Sequence, residues 1–290
     1  MDPVARQNES RNRDYRAGAR MARNRMEAES PADDQVLKAV ESSDIVVVRG
    51  AYDRVGDVLS ALEMPFTTVE AQMLGRIELE PKQLLVLNCP ATLDGNDVAK
   101  VARFVEEGGS LFTTDWALRS VLMPAFPGTV EFTGRPTGDE VVPIEVLDRT
   151  NPFLSGVMDG SDDPQLWLEG SSYPIRVVDP TRVRVLIGSR ELAKRHGERA
   201  VAVWFRHGEG EVFHMISHYY LQRTELRTAR HRRPATDYFY EKGMAVPEDL
   251  RAELAGRSIG DVESASTSAR LLANLIAEKK KGAMKRGGPA

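Results

Sequence analysis

The chain has 290 residues, of which 41% are hydrophobic and 28% charged, a balance that excludes a disordered protein and fits a folded globular one. A net charge of −4 gives no global pull towards nucleic acid, and no apolar run reaches the roughly 18–20 residues that span a bilayer. The single cysteine, Cys89, excludes an intramolecular disulfide and a cysteine-rich zinc site; with no apolar leader core at the N-terminus, the expected location is the cytoplasm.

Residues 1–32 are rich in Arg, Asn, Ala and Glu, with almost no large apolar side chains. The composition predicts a disordered or weakly helical basic tail. A single α/β domain is expected over 33–278, with an insertion or lid at 222–260, and 279–290 reads as a basic C-terminal tail. The first strand is read at 44–48, β-branched and apolar on both faces, as a buried parallel strand is. Val55, Val58, Leu59 and Leu62 recur at helical spacing, and Pro65 ends that helix. Strands follow at 66–69 and 84–88. Val98, Val101, Ala102 and Val105 form the next helical face, closed by Gly108 and Gly109, and a strand follows at 110–114.

This order of near-continuous apolar strands and amphipathic helices predicts a doubly wound, mainly parallel sheet in a three-layer α/β sandwich. From 120 to 190, Pro and Gly punctuate short β-like pieces at 141–147, 175–178 and 183–188. Residues 200–206 and 211–217 read as a β-hairpin turning on Gly208 and Gly210, its second strand leading to His218. The last helix is read from about Ser266, with Ala269, Leu272, Leu275 and Ile276 on one face.

Three strand ends are expected to converge: Arg49-Gly50, Asn88-Cys89-Pro90 and Thr114-Asp115-Trp116. Ligands of open α/β sheets sit at such carboxyl ends. Four features together resemble the class I glutamine amidotransferase-like superfamily, in its ThuA-like branch. They are the 84–88 strand with its proline break, the helix, Gly108-Gly109, strand and elbow at Asp115, the loop Asn151-Pro152-Phe153-Leu154-Ser155-Gly156, and the hairpin ending at Ser217-His218. The resemblance covers roughly residues 44–277 and implies a flavodoxin-like fold. It also implies a degenerate site. Asp115 stands where the amidotransferases carry the nucleophilic cysteine, and His218-Tyr219-Tyr220 replaces their His-Pro-Glu.

Asp115 at the elbow would serve as nucleophile, base or metal ligand, or would cap the following helix, since Asp is a preferred N-cap. Cys89 would pair with His218 as thiol and imidazole, although a lone thiol is more commonly buried and inert, and Pro90 offers no backbone N–H there. His214 and His218 share one face of a strand of period two and would hold a metal with Asp115. Local spacing supplies no further ligand, so neither a metal nor a cofactor is assigned. His196, His207 and His231 lie in polar stretches and read as solvated.

Arg49, Arg119 and the arginines of 223–233 suit an anion site or, with Tyr238, Phe239 and Tyr240, a single-stranded nucleic acid; a solvated lid with local ion pairs is favoured over both. The ligand-binding set read from the strand ends is Arg49, Gly50, Asn88, Thr114, Trp116 and Tyr219. The expectation is a non-catalytic amidotransferase-like domain that binds a ligand or protein partner at this edge, with a hydrolase using Asp115 and His218, metal-assisted or not, as the alternative.

Overall fold

The computed structural model describes residues 3–286 apart from 53, 54, 91, 161 and 219–227, with side chains described from 13 to 285. The chain opens with two helices, α1 (Pro3–Glu29) and α2 (Pro31–Lys38). The parallel half of the fold follows as β1 (Ile45–Val48), α3 (Val55–Ala61), β2 (Thr67–Val69), β3 (Leu84–Leu87), α4 (Gly95–Glu106) and β4 (Ser110–Thr114). A π-turn at Leu118–Leu122 runs into α5 (Met123–Ala125). Short pieces come next: β5 (Val130–Phe132), β6 (Glu140–Pro143), β7 (Glu145–Val146), β8 (Gln165–Leu168), β9 (Ile175–Val177), β10 (Arg184–Gly188) and α6 (Arg190–His196). The hairpin β11 (Ala200–His207) and β12 (Gly210–Met215) is followed by α7 (Ala235–Glu241), α8 (Glu248–Leu254) and the long α9 (Ile259–Arg286).

The main sheet runs in the order β2-β1-β3-β4-β12-β11-β10-β7. Its first five strands are mutually parallel, and β11, β10 and β7 continue it antiparallel. β9 pairs with β11 and carries β5, and β6 with β8 forms a separate ribbon. The chain leaves β1 for β2 on one side and returns to β3 on the other, which sets the switch point of a doubly wound sheet between β1 and β3. β1, β3 and β4 are buried along their whole length, because helices cover both faces of a parallel sheet. α1, α2, α3 and α9 pack together in one layer, while α4 packs with α5 in the other. The chain is a three-layer α/β sandwich.

α4 shows how locally the sequence writes its elements. Asp94 caps it, accepting from the N–H groups of Asn96 and Asp97. Its buried face is Val98, Val101, Phe104 and Val105, and Gly108, at φ 112°, lets the chain turn into β4. Phe112 at the centre of β4 is fully buried and lies 5.7 Å, centroid to centroid, from Phe213 on β12. Phe112→Ala is expected to lower stability by about 3–5 kcal/mol, read as a shifted urea midpoint at unchanged slope.

Four sequence expectations are corrected here. The segment read as a tail at 1–32 is helix α1 with the start of α2, and Tyr15, Met21 and Met26 of α1 are buried. The segment read as a lid at 222–260 is, over its described part from residue 228, largely helical. Tyr238, Phe239, Val246, Leu250 and Leu254 form a second core there with Ala17 and Met21 of α1. α9 begins at Ile259 rather than near Ser266. It continues through the supposed basic tail to Arg286, with the buried Lys279 bonding the carbonyls of Pro81 and Gly108 at 2.7 and 2.6 Å. No helix among the described residues is long and apolar enough to cross a membrane.

Candidate functional site

β3, β4 and β12 are neighbours in the sheet, so the residues that follow them stand side by side at its carboxyl edge. Cys89 follows β3, Asp115 follows β4 and His218 lies three residues beyond β12. Their candidate ligand atoms all lie within 4.8 Å of one another, and all three residues are buried. Gly50, at the end of β1, allows the tight packing beside them. A Cβ built on it would stand 2.2 Å from the Cys89 carbonyl oxygen, so no larger residue fits without moving the β3 end.

Asp115 has φ 47°, in the left-handed region where Asp is one of the few tolerated side chains. Non-glycine residues held there concentrate at functional sites. Its Oδ1 accepts from the Tyr173 N–H at 3.0 Å, and its Oδ2 lies 3.5 Å from the Ser172 hydroxyl. The helical turn after it starts behind Ala117, with no side-chain cap there. The carboxylate is therefore turned to the 171–173 loop instead of serving as the expected helix cap.

Among the described residues, His218 is hydrogen-bonded on one side only. Its Nδ1 lies 2.8 Å from a carboxylate oxygen of the half-exposed Glu169, just after β8. Its Nε2 is buried, faces Asp115 Oδ2 at 3.8 Å, and has no hydrogen-bond partner among the described residues. The Nδ1–H thus donates to the Glu169 carboxylate and Nε2 keeps the lone pair, the arrangement by which carboxylates set a histidine's tautomer. Beside Cys89, the buried Asn88 also has an Oδ1 without a partner among the described residues.

Aromatic rings pack beside the cluster. The Trp116 indole N–H donates to the Ser171 carbonyl at 2.8 Å, and the ring stacks on Tyr173 at 5.9 Å and meets Tyr52 edge-on at 5.8 Å. Tyr173 stacks in turn on Phe132 at 3.9 Å.

The remaining expected residues are placed as follows. Thr114 is buried on β4. Arg49 is 63% exposed and pairs with Glu70 at 3.3 Å. Tyr219, Arg223 and Arg227 lie outside the described residues. His214 does not join His218: it sits inside β12, fully buried, its Nδ1 2.8 Å from Thr113 Oγ1. The histidine pair expected on one strand face fails because the strand ends at Met215 and the chain turns before His218.

Two histidines read as solvated are partnered. His196 lies 2.5 Å from Glu140, and His231 is buried 3.0 Å from Glu263 on α9. The arginines of α7's surroundings are spent on ion pairs, Arg230 with Glu241 and Glu263, both at 2.7 Å, and Arg233 with Asp237 at 2.8 Å. Glu169 is the functional candidate that sequence reasoning missed. It sits in a Glu-Gly-Ser-Ser loop with no spacing that ties it to His218.

No protein-family model matches the chain, and no curated protein matches its sequence. Among solved structures, a glutamine amidotransferase from Thermotoga maritima is similar, at 11% identity and TM-score 0.47, over 83% of this chain and 98% of that one. A cytoplasmic protein from Salmonella typhimurium is similar at 11% identity and TM-score 0.43, over 60% and 87%. An exo-β-1,4-mannosidase from an Opitutaceae bacterium is similar at 9% identity and TM-score 0.40, over 60% of this chain and 31% of that one, so the chain spans about a third of that enzyme's length.

Proposed function

We propose that the chain is a hydrolase whose reaction centre is the buried Cys89–Asp115–His218 cluster, with Glu169 behind the histidine. One observation carries this reading. Three side chains of reactive chemistry, from three strand ends, bring their polar atoms within 4.8 Å of one another in a buried setting. His218 keeps Nε2 without a partner among the described residues. A buried polar atom left unpaired costs about 1–3 kcal/mol, and such costs recur where a site is built for a ligand.

The same geometry speaks against Cys89 as an amidotransferase-like nucleophile. A thiolate formed there would face the Asp115 carboxylate, a like charge in a water-poor site. Water is the better nucleophile. In an ester or amide, its oxygen would add to the carbonyl carbon and the acyl–heteroatom bond would break. The proton taken from the water by the Asp115–His218 pair would pass to the leaving heteroatom. The stacked rings of Trp116, next to Asp115 in the chain, and Tyr173, whose N–H bonds Asp115, would seat the substrate. The resemblance to the amidotransferase-like superfamily extends, in this reading, to the fold and the place of the site, with the thiol chemistry replaced.

The test is turnover of chromogenic esters and amides such as p-nitrophenyl acetate by the purified chain. Asp115→Asn and His218→Ala are expected each to lower kcat/KM by about 100-fold or more, with circular dichroism unchanged. Turnover by the parent that survives both substitutions would sink the proposal, as would a parent without activity across the panel.

A further inference from the structure

The cluster that the proposed hydrolase relies on has a composition that acid–base chemistry alone does not explain. It holds a thiol, a carboxylate and an imidazole. We infer that these three side chains, through Cys89 Sγ, an Asp115 carboxylate oxygen and His218 Nε2, bind a divalent cation of the zinc or cobalt class, and that this ion activates the attacking water. The inference deepens the hydrolase reading and rests on the same site, but it changes how the water ionises. His218 Nε2 and one Asp115 oxygen become ligands, and the ion's charge takes over from proton abstraction by the Asp115–His218 pair. The proton the bound water gives up still ends on the leaving heteroatom.

Four features of the geometry support it. First, the ligand atoms are already gathered. Tetrahedral bonds of about 2.0–2.3 Å separate neighbouring ligands by about 3.3–3.7 Å. Nε2 and the carboxylate oxygen stand at 3.8 Å, and the full set lies within 4.8 Å, so shifts of about 1–1.5 Å, shared between side chains, close the site. Second, His218 is prepared as a ligand and not as a solvated base. A metal-bound histidine characteristically gives its other ring N–H to a carboxylate, and Glu169 stands 2.8 Å from Nδ1. The unpartnered Nε2, on a residue only 3% exposed, is the lone pair left over for the ion.

Third, the charges balance. A thiolate and a carboxylate in one buried site repel each other, and a divalent cation cancels both. Fourth, the ligand set selects the ion. Sulfur and imidazole nitrogen favour zinc-class metals, whereas magnesium and calcium prefer all-oxygen cages. Three protein ligands leave a fourth position for water, as in catalytic zinc sites, where the bound water ionises near neutral pH. Binding releases the Cys89 thiol proton as the metal–sulfur bond forms, one proton for each ion bound.

The experiment is a titration of the chelator-treated full chain with cobalt(II), followed by zinc(II). One equivalent of cobalt is expected to produce a thiolate-to-cobalt charge-transfer band in the near ultraviolet, bleached by zinc and untouched by excess magnesium. Cys89→Ser is expected to lose that band. Glu169→Gln, which keeps all three ligands, is expected to weaken binding by about 10–100-fold. No band in the folded parent, or an equal band in Cys89→Ser, would overturn the inference. Since the parent titration decides the question by itself, a variant that fails to fold leaves it decided. Metal binding without turnover of any ester or amide would keep the metal site and remove the hydrolase. Turnover that survives complete stripping by chelator would keep the hydrolase and remove the metal.

Discussion

A chain shortened to begin at Pro31 is expected to lose its cooperative fold. The removed helix carries Tyr15, Met21 and Met26, all buried, and burial of such side chains is worth about 1.5–3 kcal/mol each. Their sum of about 5–9 kcal/mol is comparable with the 5–15 kcal/mol total stability of a typical domain. Both cores are affected, because Tyr15 and Met26 belong to the main cluster and Met21 to the second one around Tyr238 and Leu250. Buried charge is stranded as well. Arg270 of α9, 3% exposed at its side chain, loses Glu29 at 2.9 Å, and the half-exposed Asp159 loses Arg25 at 2.6 Å while keeping Lys242.

A point substitution tests the same contact with the chain intact. At Gly18 a Cβ would stand 2.5 Å from the Ala265 Cβ and 2.6 Å from the Ser266 nitrogen, so α1 and α9 touch backbone to backbone there. Gly18→Val is expected to lower the urea midpoint by the equivalent of about 1–3 kcal/mol or more. A truncated chain with the parent's midpoint and slope would show that α1 is an appendage after all.

That helix marks the boundary of what the sequence makes legible. The parallel half was readable because its signal is local. The strands around Val46, Leu85 and Phe112 are continuously apolar, α4 has a cap, a periodic face and a glycine stop, and each agrees with its neighbours. α1 was misread because its buried face is made of Ala17, Ala19, Met21, Ala22 and Met26 among many arginines, so composition masks a stripe of small and flexible residues. What makes that stripe valuable is close approach to α9, a property of the pair that neither segment shows alone. α9 hid its first two turns for a related reason, since Glu263, Ser264 and Ser266 are polar by type yet buried by position.

The site divides the same way. That the strand ends at Cys89 and Asp115 would be neighbours followed from chain order and crossover rules. That His218 would face them through Nε2, with Glu169 behind it, depended on a loop after β8 that no periodicity reaches. The sequence therefore offered the pairings of His218 with Cys89 and with Asp115 as alternatives beside an inert thiol, and only tertiary contact brings all three into one cluster and adds Glu169.

The second large effect concerns acid. His214 is fully buried in β12, with Nδ1 against Thr113 Oγ1 and Nε2 without a partner among the described residues. Burial lowers its pKa from 6.5 to about 3, while its contact with Thr113 pulls weakly the other way. Protonating it in place would put a cation in the core with no acceptor for the new N–H. The unfolded chain has no such restriction and takes the proton near 6.5. Below that pH the unfolded state binds more protons than the folded one, so stability falls as the pH falls, and the loss continues until the folded histidine titrates near 3. The slope approaches about 1.4 kcal/mol per pH unit, which amounts to about 2.5 kcal/mol between pH 7 and 4.5.

Other groups add slopes of their own. Burial would raise the Glu140 carboxyl, but its bonds to Arg195 and His196 hold it below the usual 4.5, so its contribution is lost only at lower pH. His214→Asn keeps an oxygen that can accept from Thr113 and removes the titration. Urea unfolding of parent and variant at half-unit steps from pH 7 to 4.5 is expected to give a variant profile flatter than the parent's by about 2.5 kcal/mol across that window. Equal slopes would mean that the folded histidine takes up its proton as readily as the unfolded one, and would require a route by which water or an acceptor reaches Nε2 inside the sheet.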